Sequence, residues 1–186
     1  MYSSRNSRTN PLIKRIFVIG TSGCGKSTLA RRLSERLSLP YFASDDFYWE
    51  PNWKAASIER VEQELLQVVQ QDAWVLDGNF DDQRAWAWTR ANCLVWLDYP
   101  LLTVLSRVTA RNLRWALTRQ PTWSGNHMTF RRAFSGIRHA LRTHPLKRRV
   151  YPNYMLELSG VEVHRFQENR QVETWLAELS QGLDVC

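Results

Sequence analysis

The chain has 186 residues, 44% of them hydrophobic, and a formal net charge of +7 at pH 7. That suffices for one α/β domain with a real core, and the lack of any run of 18 apolar residues excludes a membrane-spanning helix. Residues 1–11 (MYSSRNSRTNP) lack an apolar stretch, which excludes a secretory signal. Three cysteines far apart, Cys24, Cys93 and Cys186, suit a reducing cytoplasm and argue against a disulfide framework or zinc site.

In chain order, residues 1–13 are expected to be a disordered basic tail, and residues 14–186 a single domain. Lys14 to Ile19 is a first strand, β-branched and aromatic, and Gly25 to Leu37 a helix with a stripe of Leu29, Leu33 and Leu37. Between them stands Gly20-Thr21-Ser22-Gly23-Cys24-Gly25-Lys26-Ser27-Thr28, which reads G-x-x-x-x-G-K-S, the phosphate-binding loop of nucleoside-triphosphate enzymes. Its glycines let the backbone curl around an anion. The amides of Gly23 to Thr28 then face that anion at a helix N-terminus. Gly20, Ser22, Gly23, Cys24, Gly25, Lys26, Ser27 and Thr28 are thus the ATP-binding residues. Lys26 is expected on the β- and γ-phosphates, Ser27 on Mg²⁺ and Thr28 on the α-phosphate. Nearby amides and a lysine would favour the Cys24 thiolate, but the residue reads mainly as a variable position of the loop.

Tyr41 to Ala43 is a second strand, followed by Asp45, Asp46, Phe47, Tyr48 and Trp49. Ser57 caps a second helix running to Gln71. Ala73 to Leu76 is a third strand ending in Asp77-Gly78-Asn79-Phe80, residues 81–92 are ambiguous, and Cys93 to Leu97 is a fourth strand ending in Asp98. Leu101 to Arg119 is a long helix, Pro121 to Thr129 a break, Phe130 to Arg142 a helix and Pro145 to Leu158 another. Val161 to Phe166 is a fifth strand, and Val172, Trp175, Leu176 and Leu179 mark a last helix. Strands alternating with helices imply a three-layer α/β/α fold around a five-stranded parallel sheet. Most of the nine tryptophans are expected in the core or between helices.

Ligands of such sheets lie beyond the carboxyl ends of the strands, where Asp45, Asp46, Asp77 and Asp98 fall. Asp77 ends a hydrophobic run beside the loop and is the expected partner of Ser27 on Mg²⁺. Asp98 reads as a cap or turn residue. Asp45, across the cleft, is the first choice for the base that deprotonates an acceptor hydroxyl, with Asp46 second. Phe47, Tyr48, Trp49 and Trp53 crowd the same edge, where a base or sugar could stack.

Residues 101–150 hold ten Arg and one Lys and no Asp or Glu, so the net charge of +7 less this +11 leaves −4 elsewhere. The excess is local and needs a local reason, most simply a ligand that brings the negative charge.

GTSGCGKST, SDDFYWEPNW and WVLDGNF together resemble the small P-loop kinases related to adenylate kinase, and most closely the topology modulation proteins of FlaR type. The resemblance spans most of residues 14–180. It implies the sheet order 2-3-1-4-5, ATP and Mg²⁺ as cofactors, and an arginine-bearing lid over about residues 107–145. Arg107, Arg111 and Arg114, with Arg119 beyond them, then fall where the lid would close on the transferring phosphoryl group. Departures are Ser22 in place of a loop proline, Asn79-Phe80 where adenylate kinases carry F-P-R, and no lid cysteines. The Asp45–Tyr48 block also resembles uridine-kinase-like enzymes. The expected function is a cytoplasmic kinase moving the γ-phosphate of Mg-ATP to a small acceptor, a nucleotide or nucleoside, working as a monomer or homodimer. The alternative is a P-loop ATPase that binds nucleic acid through residues 101–150.

Overall fold

The structure is a computed structural model, described here for residues 13–181. The expected N-terminal tail lies outside the described residues except for Ile13, and so does Cys186. Seven strands form: β1 (Arg15–Gly20), β2 (Tyr41–Ala43), β3 (Trp49–Glu50), β4 (Lys54–Ala55), β5 (Trp74–Asp77), β6 (Cys93–Leu97) and β7 (Glu162–Phe166). The helices are α1 (Lys26–Leu37), α2 (Ser44–Tyr48), α3 (Ile58–Val69), α4 (Arg84–Ala87), α5 (Leu101–Thr118), α6 (Phe130–Leu156) and α7 (Asn169–Gln181).

Five strands make a parallel sheet in the order β2-β5-β1-β6-β7, the 2-3-1-4-5 arrangement expected. Strand residues alternate between its two faces. Ile16, Val18, Val75, Val95 and Leu97 pack with Leu29 and Leu33 of α1, Val104 and Val108 of α5, and Trp175 and Leu176 of α7. Phe17, Ile19, Trp74, Leu76, Leu94 and Trp96 pack on the other face with Val61 and Leu65 of α3, Trp88, and Tyr151 of α6. Burial on both faces explains why these strands read as continuous apolar runs.

Three features differ from expectation. Helix α3, capped by Ser57 through the Arg60 amide, stops at Val69 instead of Gln71. A short antiparallel pair, β3–β4, follows α2 where no strand was expected.

The third difference is the largest. Two expected helices, broken before Pro145, are one helix of 27 residues containing Pro145 and Pro152. An interior proline removes a backbone hydrogen bond and costs roughly 3 kcal/mol. Contacts on either side of Pro145 offset this. His144 is buried with Nε2 2.9 Å from the Tyr99 carbonyl oxygen, and Lys147 and Tyr151 are buried one and two turns on. Helix α6 therefore packs on one sheet face through Ile137 and Ala140 and on the other through Val150, Tyr151 and Tyr154. The ambiguous residues 81–92 form α4 and a 3₁₀ turn, Trp88–Arg90, that carries Trp88 into the core.

Candidate functional site

The loop after β1 lies where the chain switches sides of the sheet, β5 on one flank and β6 on the other. Gly20, Gly23 and Gly25 have φ of 146°, 88° and 103°. At Gly23 close approach matters as well: a Cβ there would sit 2.7 Å from Val108 Cβ and 3.1 Å from the Val104 carbonyl oxygen. Glycine at this position lets α5 lie directly on the loop. The amides of Lys26, Ser27 and Thr28 open α1 ahead of its first helical bond, from Leu29 N to Gly25 O at 3.0 Å. Such amides have no partner within the helix and suit an anion. Lys26 Nζ donates to the carbonyl oxygens of Gly20 (3.1 Å) and Thr21 (3.4 Å), which holds the ammonium over its own loop.

Cys24 differs from expectation. Its side chain is fully buried beneath the loop, and burial pushes the thiol up more than Lys26 pulls it down. A buried neutral thiol of this kind is a packing residue.

Asp77 is buried and takes hydrogen bonds from the Tyr41 hydroxyl (2.9 Å) and the Ser44 amide (3.2 Å). Burial and the Asp77 charge push the Tyr41 hydroxyl up, and the nearby Ser27 side chain weakly opposes this. Ser27, Tyr41 and Asp77 thus form one oxygen cluster at the mouth of the loop. Asp46 points the same way: burial first and the Asp77 charge second raise its carboxyl, with Arg31 opposing. Hard oxygen donors around a pair of repelling carboxylates fit Mg²⁺, which takes one or two protein oxygens and completes its shell with phosphate and water. Among the described residues no group of three or more His, Cys, Asp or Glu could hold a metal ion without such help.

Two clefts meet over the loop. The first, about 510 Å³, is lined by residues 22–28 and by Tyr99, Arg107, Asn169 and Val172. The second, about 560 Å³, is lined by Tyr48, Trp49 and Trp53, by Asn79 to Asp82, and by Arg132 and Lys147 of α6. Ser22, Lys26, Asp45, Arg111 and Trp123 line both. Burial raises the Asp45 carboxyl, Lys26 and Arg111 pull it back, and Asp77 adds to the rise. Asp46 lines neither cleft.

Of the expected arginines, two reach the loop. Arg107 donates to the Cys24 carbonyl oxygen (3.1 Å) and to Asn169 Oδ1 (3.1 Å), with its guanidinium over the Tyr99 ring. Arg111 donates to Ser22 Oγ (3.2 Å) and to Asn112 Oδ1 (3.3 Å), lies over Trp115, and is half-buried. Arg114 is exposed and lines neither cleft, and Arg119 caps α5 with a left-handed φ of 51°. The face of α5 turned to the loop is Arg107–Arg111–Trp115, a strict four-residue repeat that leaves Arg114 to one side. Asp98 is not at the site either. It is buried between Arg148 (2.9 Å) and Arg165 (2.6 Å) as a structural ion pair joining α6 to β7.

Sequence reasoning named Trp49 and Trp53 but missed Trp115, Trp123, Asn126, Asn79 and Arg132. Phe47 is core, packed on Phe80, but Trp49, Trp53, Trp123 and Trp115 form a chain with ring centroids 5.3, 6.1 and 5.2 Å apart. Asn126 ties that chain together: its Oδ1 accepts from the Trp53 amide (2.7 Å), and its Nδ2 donates to the carbonyls of Glu50 and Trp123 (2.9 Å each). Asn79 Oδ1 accepts from the Gly20 amide (2.8 Å), locking the end of β5 to the phosphate loop. Arg132, over the Trp53 ring, was hidden among ten arginines. The acid-free block signalled that cations were needed but not which ones face inward.

A family model described as AAA domain matches residues 16–115. Among curated proteins no sequence matches the chain. Solved structures similar in fold include a shikimate kinase from Acinetobacter baumannii in complex with shikimate (TM-score 0.59, 16% identity, 94% of this chain and 96% of that one). Another is a shikimate kinase from Bacteroides thetaiotaomicron (0.55, 18%, 92% and 99%). A gluconokinase from Sinorhizobium meliloti 1021 is similar at 0.51 and 15%, with 94% of each chain covered. Identities this low speak to the fold alone, but the family model covers more than half of the residues: the chain belongs to the AAA domain family.

Proposed function

We propose that the protein is an ATP-dependent kinase that moves the γ-phosphate of Mg-ATP to a hydroxyl of a small acceptor, a nucleoside or nucleotide. The observation that carries this reading is the junction of two clefts at Lys26, Asp45 and Arg111. A plain ATPase needs one cleft and a water, whereas this arrangement provides a second, aromatic-lined space at the point where the γ-phosphate would lie. The fold shared with shikimate kinases and a gluconokinase supports a small hydroxyl acceptor. The tryptophans and Tyr48 support an acceptor with a flat ring. The sequence resemblance to topology modulation proteins is consistent with the same reading.

ATP would occupy the first cleft with its phosphates on the loop and its nucleoside end toward Arg107, Asn169 and Val172. Asp45 accepts the proton of the acceptor hydroxyl as that oxygen attacks the γ-phosphorus, and the bond to the β-phosphate oxygen breaks to release ADP. Lys26 and Arg111 lie where negative charge spreads in this step. Held by Ser27 and Asp77, Mg²⁺ would neutralise charge on the β- and γ-phosphates. Trp123 and Arg111 shield the junction from water, which limits idle hydrolysis. No described helix is long and apolar enough to cross a membrane, and with reduced buried cysteines this favours a cytoplasmic enzyme.

The test is Mg²⁺-dependent ADP release with nucleosides, nucleoside monophosphates and sugar acids in turn. Release that depends on one class of acceptor is expected. Slow release indifferent to every acceptor but stimulated by DNA or RNA would overturn the kinase reading in favour of a nucleic-acid-dependent ATPase.

A further inference from the structure

One group in the second cleft has no part in the phosphoryl transfer described above. Asp81 follows a sharp reversal at the end of β5, with Gly78 at φ 136° and Phe80 at φ 46°. A Cβ at Gly78 would meet Ser44 Cβ at 2.3 Å, so the reversal requires glycine. The strained Phe80 is fixed by its buried ring against Phe17, Phe47 and Tyr48. This turn delivers Asp81 to the cleft wall, where its side chain is 47% exposed.

Two buried donors hold it from behind. Lys147 Nζ donates to Asp81 Oδ2 (2.9 Å), Tyr151 Oη donates to Asp81 Oδ1 (2.7 Å), and Lys147 Nζ donates to Tyr151 Oη (2.8 Å), closing a triangle. Lys147 is 6% exposed and Tyr151 1%. Burying an ammonium to hold a half-exposed carboxylate is a poor way to gain stability, because desolvation of the buried partner offsets the attraction. It is an effective way to orient a carboxylate.

Each Asp81 oxygen spends one lone pair on a buried donor and keeps one for the cleft. The carboxylates of Asp45 and Asp82 line the same space. Lys26, Arg111 and Arg132 line it too, so the cleft carries both signs, and at Asp81 the open lone pairs take hydroxyl donors rather than a phosphate or carboxylate. We infer that Asp81 binds two neighbouring hydroxyls of the acceptor, so that the substrate class is a ring sugar with a free vicinal diol. This deepens the kinase reading and rests on it for the name acceptor, but binding can be measured without turnover.

The experiment is titration of the cleft tryptophan fluorescence with adenosine, uridine, cytidine and D-ribose, and with the 2′,3′-dideoxy forms of the three nucleosides. At least one diol compound is expected to bind, its dideoxy form at least tenfold more weakly, and Asp81→Asn is expected to erase the difference. Tighter binding of the nucleosides than of D-ribose would assign the ring-bearing source, and equal binding the free sugar. Equal affinity of diol and dideoxy forms, or no binding by any of them, overturns the inference. The wild-type comparison decides it even if Asp81→Asn fails to fold. Diol-dependent binding without ADP release would leave this inference standing and sink the kinase reading.

Discussion

The two clefts are built in opposite ways. The first cleft centres on one continuous stretch, residues 22–28, whose backbone amides are held by glycine conformations and a helix start, with Tyr99, Arg107 and Asn169 lining it as well. The second cleft is made by side chains from α2, β3, the end of β5, α5, the connector at Trp123 and α6. Backbone-built sites tolerate variation at many side chains, because the amide is the same whatever residue carries it. Side-chain-built sites can be retuned residue by residue, and in the proposed reading the second one would carry the acceptor's identity.

The largest expected effect is at the phosphate loop. Lys26→Ala should lower turnover at least 10³-fold, since an electrostatic partner of the transferring phosphoryl group is lost. The melting temperature should move little, because the lysine donates only to carbonyls of its own loop. Steady-state ADP release with a thermal melt checks both halves, and unchanged turnover would remove the loop from the chemistry.

Asp45 sharpens the comparison, since it stands where the clefts join. Asp45→Asn should lower turnover about 10²–10⁴-fold and leave ATP affinity nearly unchanged. A fall in ATP affinity with turnover per bound ATP intact would make Asp45 a metal-site residue. Burial raises the Asp45 carboxyl in the folded protein, and the base proposed for it would have to be ionised. Turnover should therefore fall as pH drops through that raised value, above the range of an exposed aspartate. The same shift means the folded state holds the proton more tightly than the unfolded chain, so this group's contribution to stability is lost as pH rises through the folded value. Asp45→Asn should accordingly raise the melting temperature at neutral pH while costing activity, by about 2–4 °C per kcal/mol recovered.

The smallest effect is expected at the roof of the second cleft. Asn126→Ala removes two hydrogen bonds between the connector and the β3–β4 hairpin and one within the connector. A loss of about 1–3 kcal/mol is expected from leaving their partners unsatisfied. The acceptor KM should rise about 3–10-fold with the ATP KM unchanged, as the tryptophans lose their mutual register. An equal rise in both constants would mean that the roof serves both clefts alike.

Legibility followed the same division. The strand–loop–helix unit could be read from local residues, because glycine spacing and apolar periodicity are local requirements. The strands around Asp77 and Asp98 were equally legible, and the chain set Asp77 at the site and Asp98 in a cap or turn, but it did not show what holds Asp98. Each aspartate ends a buried run, and only Arg148 and Arg165 closing on one of them makes it structural. The break expected before Pro145 failed for a related reason. Proline's local cost is real, but buried contacts at His144, Lys147 and Tyr151 outweigh it.

By itself the sequence determined the parallel sheet, the phosphate loop and the need for cations between residues 101 and 150. These depend on spacing, periodicity and charge sums, which are properties of neighbours along the chain. Only the tertiary structure decided that Arg107 and Arg111 face the loop while Arg114 does not, that Cys24 is buried and neutral, and that four tryptophans form a roof. It also set Asp81 in the grip of Lys147 and Tyr151, 66 and 70 residues away. Such groups meet through long-range packing, where the energy of a contact depends on what else is buried beside it.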